Sequence, residues 1–139
     1  MNTIAKDAKI LLVEDHPDIV EMYIFAFKKM AGVELHLAHD KLSALEQAKK
    51  VRPDLILLDL IIPERDDIHA NSRYGFDVLQ ALRKDAKLKN VPVIVLTNLD
   101  SPDDRKRSAE LQALDYIVKA EVIPTKIVER AARALKEGK

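Results

Sequence analysis

Glu14 and Asp15 in "LLVEDHP", Asp59 in "PDLILLDLIIP", Thr97 and Asn98 after "VPVIV", and Lys119 in "DYIVK" all stand at the downstream ends of short runs of Val, Ile and Leu. Three carboxylates gathered in one place repel, and at least one holds its proton unless a cation is supplied. Lys119 is the only ammonium in the set, so the remaining charge calls for a metal. An oxygen-rich, sulfur-free donor set suits Mg²⁺, with Mn²⁺ as the alternative. Asp15 and Asp59 are the candidate direct ligands, Glu14 acts through water, and the backbone carbonyl of Ile61 completes the shell. Such a site suits phosphoryl transfer, which rests on positioning and charge neutralisation. Asp59 is the candidate nucleophile, taking up phosphate as an acyl phosphate. Lys119 pairs with the phosphoryl oxygens and Thr97 hydrogen-bonds one of them. One acid at a strand end is commonly a turn residue or helix cap, but here four strands carry such residues at the same end.

Positioning these side chains requires a particular scaffold. "KILLV", "VELHLA", "DLILLDL", "VPVIVLT" and "DYIVK" read as strands. Most are apolar throughout, as strands covered on both faces are, whereas "VELHLA" alternates like an edge strand. Between them run helical stripes: Ile19, Val20, Tyr23, Ile24 and Phe27; Leu42, Leu45 and Ala48; Phe76, Leu79 and Leu82; Ala109 and Leu114; Ile127, Val128, Ala131 and Leu135. Pro17, Pro102 and Pro124 mark helix starts. Fivefold alternation predicts an α/β, flavodoxin-like (βα)5 fold, a parallel sheet in the order 2-1-3-4-5 with helices on both faces. Ligands bind such sheets outside the carboxyl ends of the strands, where the polar residues gather.

The chain has 139 residues and no cysteine, with 23 basic and 23 acidic residues in balance. We expect one domain over residues 1–139, with a core of about 9–135, flexible ends at 1–8 and 136–139, and no room for a fused output domain. Charge balance argues against direct nucleic-acid binding. The absence of a signal peptide or of any stretch approaching ~20 apolar residues argues for a cytoplasmic protein without membrane insertion.

Together, "LLVEDHP", "PDLILLDLIIP", "VPVIVLT" and "DYIVK", in this order and spacing, resemble the receiver domain of two-component response regulators from about Lys9 to Leu135. The resemblance implies a stand-alone phosphoacceptor, phosphorylated on Asp59 by a sensor histidine kinase or histidine phosphotransfer protein. It implies Mg²⁺ held by Glu14, Asp15, Asp59 and the Ile61 carbonyl, and no separate substrate turnover. Thr97 and Asn98 would lie at the phosphoryl group, with Tyr116 swinging inward to reshape a surface of the fourth helix, fifth strand and fifth helix. The implied state is a monomer or a phosphorylation-dependent homodimer that passes its signal to a further protein. Competing readings are a phosphorylation-independent pseudo-receiver or adaptor and an aspartate-dependent phosphatase. The phosphatase would need a second aspartate at position 61, which is Ile.

The chain departs from the family pattern at three places. Ala120 follows Lys119 where the family usually has Pro, which predicts a trans bond. Gln112 stands where a Gly often ends the fourth helix, which predicts a differently shaped end. Residues 64–74 form an extended loop after the third strand, where Glu64, Asp66, Asp67 and His69 are candidates to screen the site or slow phosphate loss. His16, His36 and His39 read as ordinary surface or rim residues.

Overall fold

The computed structural model describes residues 3–65 and 72–137. Five parallel strands, β1 (Thr3–Val13), β2 (Ala31–Ala38), β3 (Leu55–Leu58), β4 (Val93–Thr97) and β5 (Asp115–Val118), lie in the order β2-β1-β3-β4-β5. Helices α1 (Pro17–Phe27), α2 (Lys41–Val51), α3 (Gly75–Lys84) and α4 (Pro102–Glu110) fill the four crossovers and α5 (Pro124–Glu137) follows β5, as expected. The alternating strand β2 is indeed an edge.

Alternation along the strands divides the core. Ile10, Leu12, Leu55, Leu57, Ile94, Leu96 and Ile117 face one side with Tyr23 and Phe27 of α1 and Ile127 and Ala131 of α5. Leu11, Val13, Ile56, Leu58, Val93 and Val95 face the other, against α2 and α3. Helix α2 seats Ala44 and Ala48 on the sheet and leaves Leu42 exposed, contrary to the expected stripe. Small residues allow close approach, and Leu42 stands in the first turn, where its N–H donates to Glu64 O at 3.0 Å. Helix α4 buries only Ser108; Ala109 and Leu114, expected to face inward, are exposed.

Regular structure reaches into both segments expected to be flexible ends. β1 begins at Thr3, pairing it with Ala31 before a register break that leads to Ala8↔Val33. Ladder pairing with the start of β2 satisfies backbone groups that a flexible end would leave to water. At the other end, α5 carries residues 136 and 137.

The α4 terminus also corrects expectation. Gln112 adopts φ 62°, and its N–H and that of Ala113 donate back to Ala109 O and Ser108 O, both at 2.9 Å. A non-glycine residue therefore takes the left-handed position at roughly 1–2 kcal/mol, and the turn closes as a glycine would close it. Arg83 holds this turn in place. Its guanidinium donates to Leu111 O (2.9 Å), Gln112 O (3.1 Å), Lys89 O (3.1 Å) and Val91 O (2.8 Å), and burial lowers its pKa. Arg83→Met keeps the apolar stem but removes the donor from four carbonyls. We expect it to cost about 2–3 kcal/mol, lowering the thermal midpoint by about 5–10 °C. A midpoint within about a degree of wild type would refute the clamp.

Candidate functional site

Glu14 and Asp15 follow β1 directly, and Asp59 follows β3. The Glu14 N–H donates to Ala38 O at 3.0 Å and the Asp59 N–H to Val13 O at 3.1 Å, so the sheet's ladder continues into the site. Lys119 comes one residue after β5, within a 3₁₀ turn, Lys119–Glu121. The described residues contain no cis peptide bond, in keeping with the trans expectation at Ala120.

Glu14 and Asp59 are almost fully buried, 2% and 3% exposed. Burying two carboxylates is tolerable only with close compensation. Lys119 Nζ supplies it, donating to Glu14 Oε1 at 2.7 Å and to Asp59 Oδ2 at 2.9 Å. The other Asp59 oxygen, Oδ1, accepts from Ile61 N–H at 3.0 Å. Burial, reinforced by the Asp59 charge, raises the Glu14 pKa despite Lys119. Burial alone would lower Lys119, but Asp59 and Glu14 together outweigh it and hold its pKa above the ordinary value. One ammonium thus serves two buried acids, with Asp15 beside them.

Asp15 is half-buried, and its Oδ1 is shielded from solvent with no hydrogen-bond partner. An orphaned carboxylate oxygen next to an acid-rich pair fits a hard divalent cation. The described residues bring three metal-capable side chains within 4.8 Å of one another, Glu14, Asp15 and His16. Asp59, expected among the ligands, lies instead on Lys119 and the Ile61 N–H, though a carboxylate oxygen that accepts one hydrogen bond keeps a second lone pair.

Thr97, at the end of β4, is fully buried. Its Oγ1 accepts from Leu99 N–H at 3.4 Å, and the Leu99 carbonyl accepts from the Tyr116 hydroxyl at 2.6 Å. Leu99 thus links Thr97 to Tyr116. Burial, followed by the charge of Asp104, raises the Tyr116 pKa to about 12, so its hydroxyl remains a donor. Arg105 covers the ring with its guanidinium carbon 4.7 Å from the centroid while donating to Asp100 at 2.7 Å. Asn98, expected at the phosphoryl group, accepts from Ala120 N–H at 2.9 Å through its side chain, tying the end of β4 to the turn carrying Lys119.

Two contributions were missed in the sequence. Tyr23 read only as core, yet its pKa, raised to about 12 chiefly by burial, also responds to Lys119, Glu14 and Asp59. His16 read as a surface residue, yet its ring turns onto the acidic pair. His36 and His39 pair with Glu34 and Asp40 away from it. Of the loop candidates, Glu64 is half-buried and makes a loose 4.0 Å pair with Arg65; Asp66, Asp67 and His69 lie outside the described residues. The loop's base is fixed: Pro63 O accepts from Lys41 N–H at 2.9 Å and Leu60 O from Gly75 N–H at 3.1 Å. Arg73 also reaches Asp104 of α4 at 2.6 Å.

Residues 10–132 match the response regulator receiver domain family. Over 125 residues the chain is 33% identical to the DNA-binding dual master transcriptional regulator RpaA of Synechocystis sp., covering 90% of this chain and 46% of that protein. It is 35% identical over 111 residues to the phosphate regulon transcriptional regulatory protein PhoB of Klebsiella pneumoniae, covering 80% and 44%. The chain therefore spans just under half the length of these relatives. Among solved structures, the phosphorylated cyanobacterial phytochrome response regulator RcpA superposes with a TM-score of 0.78 at 30% identity, covering 95% and 96% of the two chains. The Mn²⁺-bound form of response regulator Rcp1 gives 0.72 at 28% identity, covering 93% and 91%.

Proposed function

The chain belongs to the response regulator receiver domain family of two-component signalling, and from that premise we propose that it is a phosphoacceptor switch working through Asp59. The observation carrying this reading is the Asp59 carboxylate, held at the open end of the sheet by Lys119 at 2.9 Å and Ile61 N–H at 3.0 Å.

In the proposed step an Asp59 oxygen attacks the phosphorus of a phosphohistidine on a sensor kinase or phosphotransfer protein. A P–O bond forms, the P–N bond breaks, and the departing imidazole recovers its electron pair. Ile61 N–H orients the nucleophile, and Lys119 shifts from Asp59 to the incoming phosphoryl oxygens. Glu14, Asp15, Asp59 and the Ile61 carbonyl would hold Mg²⁺, or Mn²⁺ as in the Rcp1 relative. A cation there neutralises charge on the transferred group. The RcpA relative was solved phosphorylated, which supports the same capacity here.

A phosphoryl group adds about −1.5 to −2 charge and strong acceptor oxygens. Thr97's long contact with Leu99 N–H uses an oxygen lone pair and not the O–H proton, so the hydroxyl can donate to a phosphoryl oxygen. Its movement would disturb Leu99, hence the Tyr116 hydrogen bond, and carry the change to the α4-β5-α5 surface read by a downstream protein. Incubation with Mg²⁺ and acetyl phosphate followed by intact-mass measurement tests the proposal. We expect the gain of one phosphoryl group; an unchanged mass would favour the phosphorylation-independent adaptor.

A further inference from the structure

The histidine after the acidic pair is held in an unusual place. His16 Nδ1 lies 3.3 Å from Glu14 Oε2 and 3.2 Å from Asp15 Oδ1. The His16 backbone N–H donates to the same Glu14 oxygen at 3.2 Å, which anchors the residue over the pair. His16 is the N-cap of α1, yet its side chain makes no capping hydrogen bond. The imidazole is therefore not engaged with the helix.

Lys119 divides the carboxylates between two sides. It takes Glu14 Oε1 and Asp59 Oδ2, leaving Glu14 Oε2 and Asp15 Oδ1, which accepts no hydrogen bond, facing the His16 ring. The acidic pair also borders an open depression of about 450 Å³, lined in part by Glu14, Asp15, Glu21 and His39, that leads to solvent. Two carboxylate oxygens and one imidazole nitrogen thus converge beside an accessible space.

We propose that His16 Nδ1 is a further ligand of the divalent-cation site, so that this site takes a borderline cation of the Co²⁺ to Zn²⁺ type more tightly than Mg²⁺. The inference rests on the reading of Glu14 and Asp15 as cation ligands. Mg²⁺ prefers oxygen and sheds its waters reluctantly, so a nearby imidazole adds little to its binding. Imidazole nitrogen is a preferred ligand of Zn²⁺ and its neighbours, and carboxylate oxygens complete such sets. His16 thereby changes which ion the pair selects.

Calorimetric titration of the full chain with Zn²⁺ and, separately, Mg²⁺ tests this. In His16→Phe the Zn²⁺ dissociation constant should weaken about tenfold, while that for Mg²⁺ changes by less than about twofold. His16→Gln, polar and smaller, should show the same loss, which separates a missing ligand from a local packing change. The His16 side chain is 68% exposed, so neither variant threatens the core. With Co²⁺ bound, the His16 ring protons should show paramagnetic shifts that are absent from both variants. An unchanged Zn²⁺-to-Mg²⁺ ratio in the variants, or unshifted His16 ring protons, would overturn the histidine ligand and leave the Mg²⁺ site standing. Failure of the wild type to bind either ion would overturn the cation site itself, and this inference with it.

Discussion

Asp59→Asn is expected to gain no mass on incubation with Mg²⁺ and acetyl phosphate, under conditions in which the wild type gains one phosphoryl group. Asparagine keeps the shape and an oxygen to accept the Ile61 N–H bond, but its neutral amide is no nucleophile for phosphorus. Removing a nucleophile commonly costs several powers of ten in rate, so uptake should fall at least about a thousandfold. The fold should survive, because Asp59 and Glu14 are like charges buried on one ammonium and the substitution removes their repulsion. A circular dichroism melt separates the outcomes: retained structure without uptake places the phosphoryl group on Asp59. A phosphoryl gain in a folded Asp59→Asn protein would move the acceptor to another carboxylate, with Asp15 the next to examine.

The scaffold was legible because its strands are buried on both faces and its helices on one. Each of these conditions leaves a mark in the order of the residues, as in the unbroken apolar run Leu55–Leu58 and the alternating β2. The polar ends were legible for a related reason: a carboxylate or lysine closing an apolar run must find compensation, and the topology gives those ends one neighbourhood. Glu14, Asp59 and Lys119 meet there. What stayed hidden depends on contacts that have no period. Arg83 reads as an exposed cation near a helix end, and nothing local says that its guanidinium reaches four carbonyls in two turns. Gln112 carries no mark of a left-handed residue, since its conformation is imposed by the turn and the clamp above it. Thr3 looks like part of a lead-in until its pairing with Ala31, at the start of β2, is known. His16 reads as a surface or rim residue because a lone histidine beside acids has no spacing signature; its ring orientation carries the information. The 64–74 loop is visible as an anomaly of length, but its fixed base shows in carbonyls, those of Pro63 and Glu64 accepting from the first turn of α2 and that of Leu60 accepting from Gly75 N–H.

Gly75 is where scaffold and site share an atom's width, and Gly75→Ala is expected to damage both. The residue opens α3, and its N–H donates to Leu60 O at 3.1 Å. A Cβ at this position would come within 2.4 Å of Leu60 Cα and 2.5 Å of the Asp59 carbonyl oxygen. These are backbone atoms of the segment presenting the phosphoacceptor, so no rotamer change relieves the contact. Either α3 lifts away, unseating Phe76 and Leu79 from their core, or residues 59–60 shift and carry the Asp59 carboxylate off Lys119. Overpacking with backbone movement costs about 3 kcal/mol, a fall of about 10 °C in thermal midpoint for a chain of this size. Because catalytic geometry tolerates displacements well under 1 Å, phosphoryl uptake in the folded fraction should also drop about a hundredfold. The two readouts distinguish the routes: lost stability with normal uptake means that α3 yields, whereas both losses mean that the Asp59 segment yields. An alanine variant that melts with the wild type and takes up phosphate at its rate would show that the close approach of Gly75 to the Asp59–Leu60 backbone is not a constraint on this protein.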